Sequence, residues 1–173
     1  MVNQKQVKFS LEEAIARRSS LASGQIVTLA TGVFDILHIE HLRFLRRAKQ
    51  QGDILFVGIE RDRRVRQLKG RGRPVNSEMH RAQVISALKS VDCVFLLPDD
   101  MEDQAGRERV IQKLKPDIYA VSANTPYLQE KEKIIKKFAG QLRVVHQHNP
   151  NISTTKIITA KRNHRRRVRS ANI

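Results

Sequence analysis

Between Gln25 and Val145, short apolar runs alternate with stretches whose apolar residues recur at helical spacing, and this alternation leaves few folds open to the chain. The strand-like runs are Gln25 to Ala30, Asp53 to Ile59, Val91 to Leu97, Asp117 to Val121 and Gln141 to Val145. The helical patterns between them are carried by Leu42, Phe44, Leu45 and Ala48, by Ser77 to Lys89 with Val84, Ile85 and Leu88 inward, by Glu108 to Leu114, and by Leu128 to Phe138. Repetition of strand, helix and strand is the pattern of a parallel sheet with crossover helices. The expected fold is therefore α/β, a Rossmann-like parallel sheet of about five strands with helices on both faces. Right-handed crossovers gather the loops after the strand carboxyl ends on one edge, where ligands bind.

The first such loop is the richest in chemistry. Thr31-Gly-Val-Phe-Asp-Ile-Leu-His-Ile-Glu-His41 connects an apolar strand to a helix, with Gly32 to His38 as the turn. A helix entered this way points unpaired N–H groups and a partial positive charge at its ligand, which suits phosphate. His38 and His41 are separated by one helical step, share a face, and can reach one ligand together. Gly32 lets a phosphate approach the backbone without a Cβ in the way. Spacing alone is equally compatible with two polar surface histidines, so the wider chain has to decide.

Four blocks in order carry a resemblance. The run from Gly32 through Phe34, Asp35 and His38 to His41 resembles the pattern G-x-F-D-x-x-H-x-G-H of the nucleotidyltransferase (cytidylyltransferase-like) superfamily. Leu68-Lys-Gly-Arg-Gly-Arg-Pro-Val-Asn76 is similar to the loop of the ADP-heptose synthase type of sugar-phosphate nucleotidyltransferase. His80-Arg81 and Ser90-Val-Asp92 resemble the helix and strand start that follow it. Ile152-Ser-Thr-Thr-Lys-Ile157 resembles the signature shared with glycerol-3-phosphate cytidylyltransferase.

The resemblance implies attack by a substrate phosphate on the α-phosphorus of ATP or CTP, with release of pyrophosphate. It implies a catalytic set of His38, His41, Lys69 and Arg81: the histidines donating to phosphate oxygens, Lys69 neutralising charge, and Arg81 binding phosphate. Thr31, Gly32, Val33, Phe34, Asp35, Glu40, Ser122, Asn124, Ser153, Thr154 and Thr155 are the implied nucleotide-binding residues, with Asp35 more a local organiser than a catalyst. Magnesium is expected on the triphosphate, held mainly by phosphate oxygens and water, with no dedicated protein metal site. The implied acceptor is a sugar- or polyol-phosphate. Adenylyl transfer is favoured over cytidylyl because the Leu68 to Asn76 loop is nearer the ADP-heptose type. No sugar-kinase segment is present, so the chain would act only at the transfer step. Relatives of this kind are commonly homodimers.

Three positions depart from the family pattern. Glu40 stands where the family has glycine, and a carboxylate there would crowd the nucleotide unless it turns away. Ser122-Ala-Asn-Thr125 replaces a glycine- and aspartate-rich loop, and His148 stands near a family arginine.

Composition sets the outer bounds. A chain of 173 residues that is 40% hydrophobic can build a single core. The expected organisation is an N-terminal helical extension at 1–23, a nucleotidyltransferase domain at 24–160 and a basic tail at 161–173. The extension contains a helix from Ser10 to Arg17, lying outside the motif-bearing core. A lone Cys93 excludes an intrachain disulfide, and no stretch approaches the roughly 20 apolar residues of a membrane span, so a cytoplasmic protein is expected. The formal net charge of +16 is concentrated in Arg61 to Arg73 and in the tail from Lys161 to Arg169. Such charge offers a second reading, a remodelled nucleotidyltransferase fold that binds nucleic acid or another polyanion through its basic loop and tail. Aromatics at only 5% argue against base stacking there.

Overall fold

The computed structural model describes residues 10–101, 103–147 and 149–160. Five strands, β1 (Val27–Gly32), β2 (Ile54–Ile59), β3 (Cys93–Leu96), β4 (Ile118–Ser122) and β5 (Gln141–His146), form one sheet in the order β3-β2-β1-β4-β5. Every neighbouring pair is parallel. The inner strand β2 reads Ile-Leu-Phe-Val-Gly-Ile with almost no exposed residue, as a strand covered on both faces must.

The helices are α1 (Leu11–Ser19), α2 (Ile39–Lys49), α3 (Asp62–Lys69), α4 (Glu78–Ser86), α5 (Gln104–Leu114) and α6 (Leu128–Lys137). Two cores result. On one face Leu11 and Ala14 of α1, Val110 and Leu114 of α5, and Ile134 and Ile135 of α6 pack on Leu29, Phe56 and Phe95. On the other, Phe44, Leu45 and Ala48 of α2 and Ala82 and Ile85 of α4 pack on Ala30, Leu55 and Val57. Strand order reverses between β1 and β4, so the crevice above their carboxyl ends is the place for a ligand.

The opposite edge is tied down by aspartates that precede strands. Asp117 accepts from the Val27 N–H at 2.7 Å, Asp92 from Leu55 N–H at 2.8 Å and Asp53 from Ile26 N–H at 2.8 Å. Each satisfies a strand-start donor that the ladder leaves open.

Three sequence expectations are corrected. The opening helix is not outside the core: Ser10 and Glu13 form a reciprocal capping box at its start, and Leu11 and Ala14 are buried. Val84 faces solvent, because α4 buries the face formed by Arg81, Ala82 and Ile85. Residues 62–69, read from sequence only as a basic cluster, form α3. That helix buries a single apolar side chain, Val65, and its first N–H, on Asp62, donates to Glu78 of α4 at 2.7 Å.

Because Leu11 fills space against the sheet, Leu11→Ala should cost about 2–4 kcal/mol of stability. Urea unfolding followed by circular dichroism measures this, and an unchanged midpoint would return α1 to the status of an appendage.

Candidate active site

At the carboxyl edge of the sheet lies a cleft of about 350 Å³. Its walls are the loop after β1, the start of α2, the end of β4 and the segment 149–155, with Lys69 and Arg73 beside it.

Phe34 shapes the first wall. Its φ of 47° is left-handed, a conformation costing a non-glycine residue roughly 1–3 kcal/mol. The turn folds its ring back over Gly32, where an added Cβ would lie 2.8 Å from a ring carbon. Glycine is therefore demanded here by Phe34, in addition to any ligand. The same ring meets His41 edge-on at 5.3 Å.

His38 occupies the N-cap position of α2 with extended backbone, and His41 lies on the first turn. Their rings stack at 3.7 Å with 16° between planes. Burial lowers the His41 imidazole to about 4, helped by the nearby His38 and His146. His38 is also lowered by burial, with Glu40 partly opposing. Two stacked imidazolium ions would repel strongly, and near neutral pH this pair is uncharged. A neutral imidazole still offers one N–H donor. The Nδ1 atom of each ring is buried without a hydrogen-bond partner among the described residues.

Glu40 neither turns out to solvent nor points freely into the cleft. Its carboxylate crosses to β5, where Oε2 lies 3.0 Å from His146 Nε2, while Oε1 accepts from Arg43 at 2.5 Å. The other His146 nitrogen, Nδ1, is 3.3 Å from an Arg47 amine that can only donate. Nδ1 must therefore accept, which places the hydrogen of a neutral ring on Nε2 and directs it at Glu40. Burial alone would raise the Glu40 carboxyl, but Arg43 and His146 outweigh it and hold it below the usual glutamate range.

Asp35 organises the basic loop. One oxygen accepts from the N–H groups of Val75 and Asn76 at 2.8 and 3.0 Å, and the other from Arg73 Nε at 2.7 Å. Lys69 ends α3 and reaches the cleft as an exposed side chain. Ser153 and Thr155 line the far wall, and Thr154 donates to the Ile36 carbonyl at 3.3 Å, linking that wall to the histidine loop. Ser122 and Asn124 are joined by a 2.8 Å hydrogen bond at the end of β4.

The cleft thus brings together Thr31, Gly32, Val33, Phe34, Asp35, His38, Glu40, His41, Lys69, Ser122, Asn124, Ser153, Thr154 and Thr155. Arg81 is the exception. Its side chain is fully buried behind the cleft, donating to the carbonyls of Val33, Glu60 and Asn76 at 2.6, 2.7 and 3.0 Å and to Asp62 at 2.6 Å. A guanidinium engaged on so many sides is a strut, which corrects its expected role as a phosphate ligand. Sequence reasoning missed His146, Arg73 and Phe44. His146 could have been found from its place at the carboxyl end of β5, the edge on which the other motifs converge. His148 and the tail at 161–173 lie outside the described residues. Among the described residues no group of three or more His, Cys, Asp or Glu is placed to hold a metal, and no helix is long and apolar enough to cross a membrane.

Comparison with known proteins places this geometry. The family model described as cytidylyltransferase-like matches residues 29–160. The chain is 40% identical over 117 residues to the bifunctional protein HldE of Campylobacter curvus, covering 68% of this chain and 24% of that protein. It is 34% identical over 145 residues to the bifunctional protein HldE of Pseudomonas paraeruginosa, covering 83% and 29%. The chain therefore spans less than a third of the length of these relatives. A crystal structure of the lipopolysaccharide core biosynthesis protein from Thermoplasma volcanium superposes with a TM-score of 0.61 at 30% identity, covering 73% of this chain and 98% of that one.

Two expectations follow from the site. Arg81→Ala should cost about 3–5 kcal/mol, since it leaves Asp62 and buried carbonyls unpaired; wild-type stability in a urea melt would contradict the strut. The lowered His41 makes stability pH-dependent. Below its ordinary value of 6.5 the unfolded chain takes up a proton that folded His41 refuses until about pH 4, so stability falls as pH drops through that window. His41→Asn should flatten this part of the stability profile, and an equal slope in variant and wild type would show that His41 is not the proton acceptor.

Proposed function

The chain belongs to the cytidylyltransferase-like family, and on that premise we propose that it is a nucleotidyltransferase joining a nucleoside monophosphate from ATP or CTP to a phosphorylated sugar or polyol. The observation that carries this reading is the neutral, stacked His38–His41 pair set at the mouth of the sheet's switch point beside Lys69 and Arg73. A sugar-phosphate acceptor is supported by the lipopolysaccharide core biosynthesis neighbour, and adenylyl over cytidylyl transfer by the resemblance of the Leu68 to Asn76 loop. A cytoplasmic homodimer belongs to the same proposal.

In the reaction an acceptor phosphate oxygen forms a bond to the α-phosphorus as the bond from that phosphorus to the bridging oxygen breaks, and pyrophosphate departs with the electron pair. The attacking oxygen is already anionic, so no general base is required. What remains for the protein is orientation and stabilisation of charge. Neutral His38 and His41 serve this as hydrogen-bond donors to α-phosphate oxygens. Because they carry no charge, their contribution is directional and grows as negative charge builds on those oxygens. Lys69 and Arg73 face the leaving pyrophosphate, and the hydroxyls of Ser153 and Thr155 orient it. Both carboxylates of the cleft are engaged, Asp35 by the basic loop and Glu40 by Arg43 and His146. That fits magnesium arriving on the triphosphate rather than on a protein site. The ion would neutralise charge on the β- and γ-phosphates.

The test is pyrophosphate release with ATP or CTP, magnesium and a panel of sugar and polyol phosphates. Turnover is expected with at least one pair, and His41→Ala should lower kcat at least roughly a hundredfold, the scale of a lost oxyanion donor. No turnover with any pair, together with no thermal shift on adding either nucleotide, would overturn the assignment.

A further inference from the structure

Strand β5 departs from regular pairing at its carboxyl end. Val121 of β4 lies opposite Val144 and Ser122 lies opposite His146, so Val145 is an extra residue, a bulge. Side chains of a regular strand alternate between the two faces of the sheet. Here Arg143 reaches Gln51 just beyond α2 at 3.1 Å, Val145 packs against the α2 and α4 core, and His146 meets α2 as well. The bulge turns His146 onto the α2 face, where alternation alone would not place it.

What His146 meets there is one face of the helix. Glu40, Arg43, Phe44 and Arg47 follow the spacing i, i+3, i+4 and i+7. Glu40 Oε2 lies 3.0 Å from His146 Nε2, the Phe44 ring stands edge-on to the imidazole at 6.4 Å, and Arg47 lies 3.3 Å from Nδ1. Arg43 braces the other Glu40 oxygen at 2.5 Å. Glu40 and His146 are both buried, so salt screens their contact far less than it would a surface pair.

His41 follows Glu40 directly in the same helical turn. A catalytic imidazole is ordinarily aimed by a hydrogen bond to its second nitrogen. Neither His38 nor His41 is held in that way, since both Nδ1 atoms are buried with no partner among the described residues. Their rings are placed instead by stacking on each other, by the edge of Phe34 and by the backbone of the turn that carries them. The position of that turn is what aims them, and Glu40 fastens the turn to β5.

Resting on the nucleotidyl-transfer reading, we propose that Glu40 and His146 are positioning residues, whose contact holds the first turn of α2 against the bulge of β5 and thereby aims His41 at the α-phosphate. Both act through His41 and take no part in bond making. The glutamate that stands where the resembled pattern has glycine is then a support for the site.

The experiment pairs steady-state kinetics with an NMR titration of the His41 ring in the full chain, comparing wild type with Glu40→Ala, Glu40→Gln, His146→Ala and the double variant Glu40→Ala/His146→Ala. The substrates are the nucleotide and acceptor that turn over in the pyrophosphate assay. Glu40→Ala should lower kcat roughly tenfold or more with the nucleotide KM within about twofold, the mark of a misplaced catalytic group. Glu40→Gln, whose amide oxygen still accepts from His146 Nε2, should recover most of that loss. His146→Ala should match Glu40→Ala, and the double variant should be no slower than either, because each removes the same contact. In the titration the wild-type ring protonates at about pH 4, and in Glu40→Ala the midpoint should rise towards 6.5 as the turn loosens and water reaches the ring. Loss of a nearby carboxylate by itself would move it down, so the sign separates movement from charge. Unchanged kcat in Glu40→Ala, or a His41 midpoint that stays or falls, overturns the positioning role and leaves the transfer reading standing. A wild type without turnover, and without a thermal shift on adding ATP or CTP, overturns the transfer reading, and the His41 midpoint then still decides whether Glu40 anchors the turn.

Discussion

The buried guanidinium of Arg81 is the interaction on which the site depends. From one point behind the cleft it holds the carbonyl of Val33 in the loop after β1, that of Glu60 after β2, that of Asn76 before α4, and the carboxylate of Asp62 at the start of α3. These segments have little apolar surface with which to pack. A charged fork with fixed geometry sets their relative positions where hydrophobic contact cannot. Glu60 and Asp35 are arranged by the same hub, since Asn76, whose carbonyl Arg81 holds, also donates its side-chain amide to the Asp35 carbonyl at 2.7 Å. The histidine loop, the basic loop and the end of β2 are thus tied together through one side chain.

Around that unit the electrostatics are divided by face. On the α2 side, burial strips charge from His38 and His41, while the carboxylate of Glu40 is held by Arg43 and by His146, whose other ring nitrogen faces Arg47. The Glu40–His146 contact also ties the first turn of α2 to the end of β5, a link across the cleft that a glycine at position 40 could not make. On the α5 and α6 side, one carboxylate oxygen of Glu60 is buried without a hydrogen-bond partner among the described residues, and Lys131 donates to Thr125. The α2 wall is thereby set for directional donation to a charged phosphate.

The five strands and most helices were legible because their apolar residues repeat at the period of the element that buries them. The N-terminal helix was seen but misplaced, since Leu11 and Ala14 are too few to reveal what they pack on. Helix α3 was not seen at all. With Val65 as its single buried residue it has no periodicity, and its place depends on Glu78 and Arg81, which arrive later in the chain.

For the site, local motifs named most of the residues that meet in the cleft, because the chemistry of phosphate demands particular side chains at a strand-to-helix turn. Sequence alone determined the parallel sheet, the edge at which its loops converge, and the pairing of His38 with His41. Tertiary structure alone decided that Arg81 is a strut and that the Glu40 carboxylate is paired with His146. Both depend on contacts between residues 19 to 106 positions apart. No pattern in sequence separation encodes such contacts; they exist only once the sheet order has brought the strand ends together.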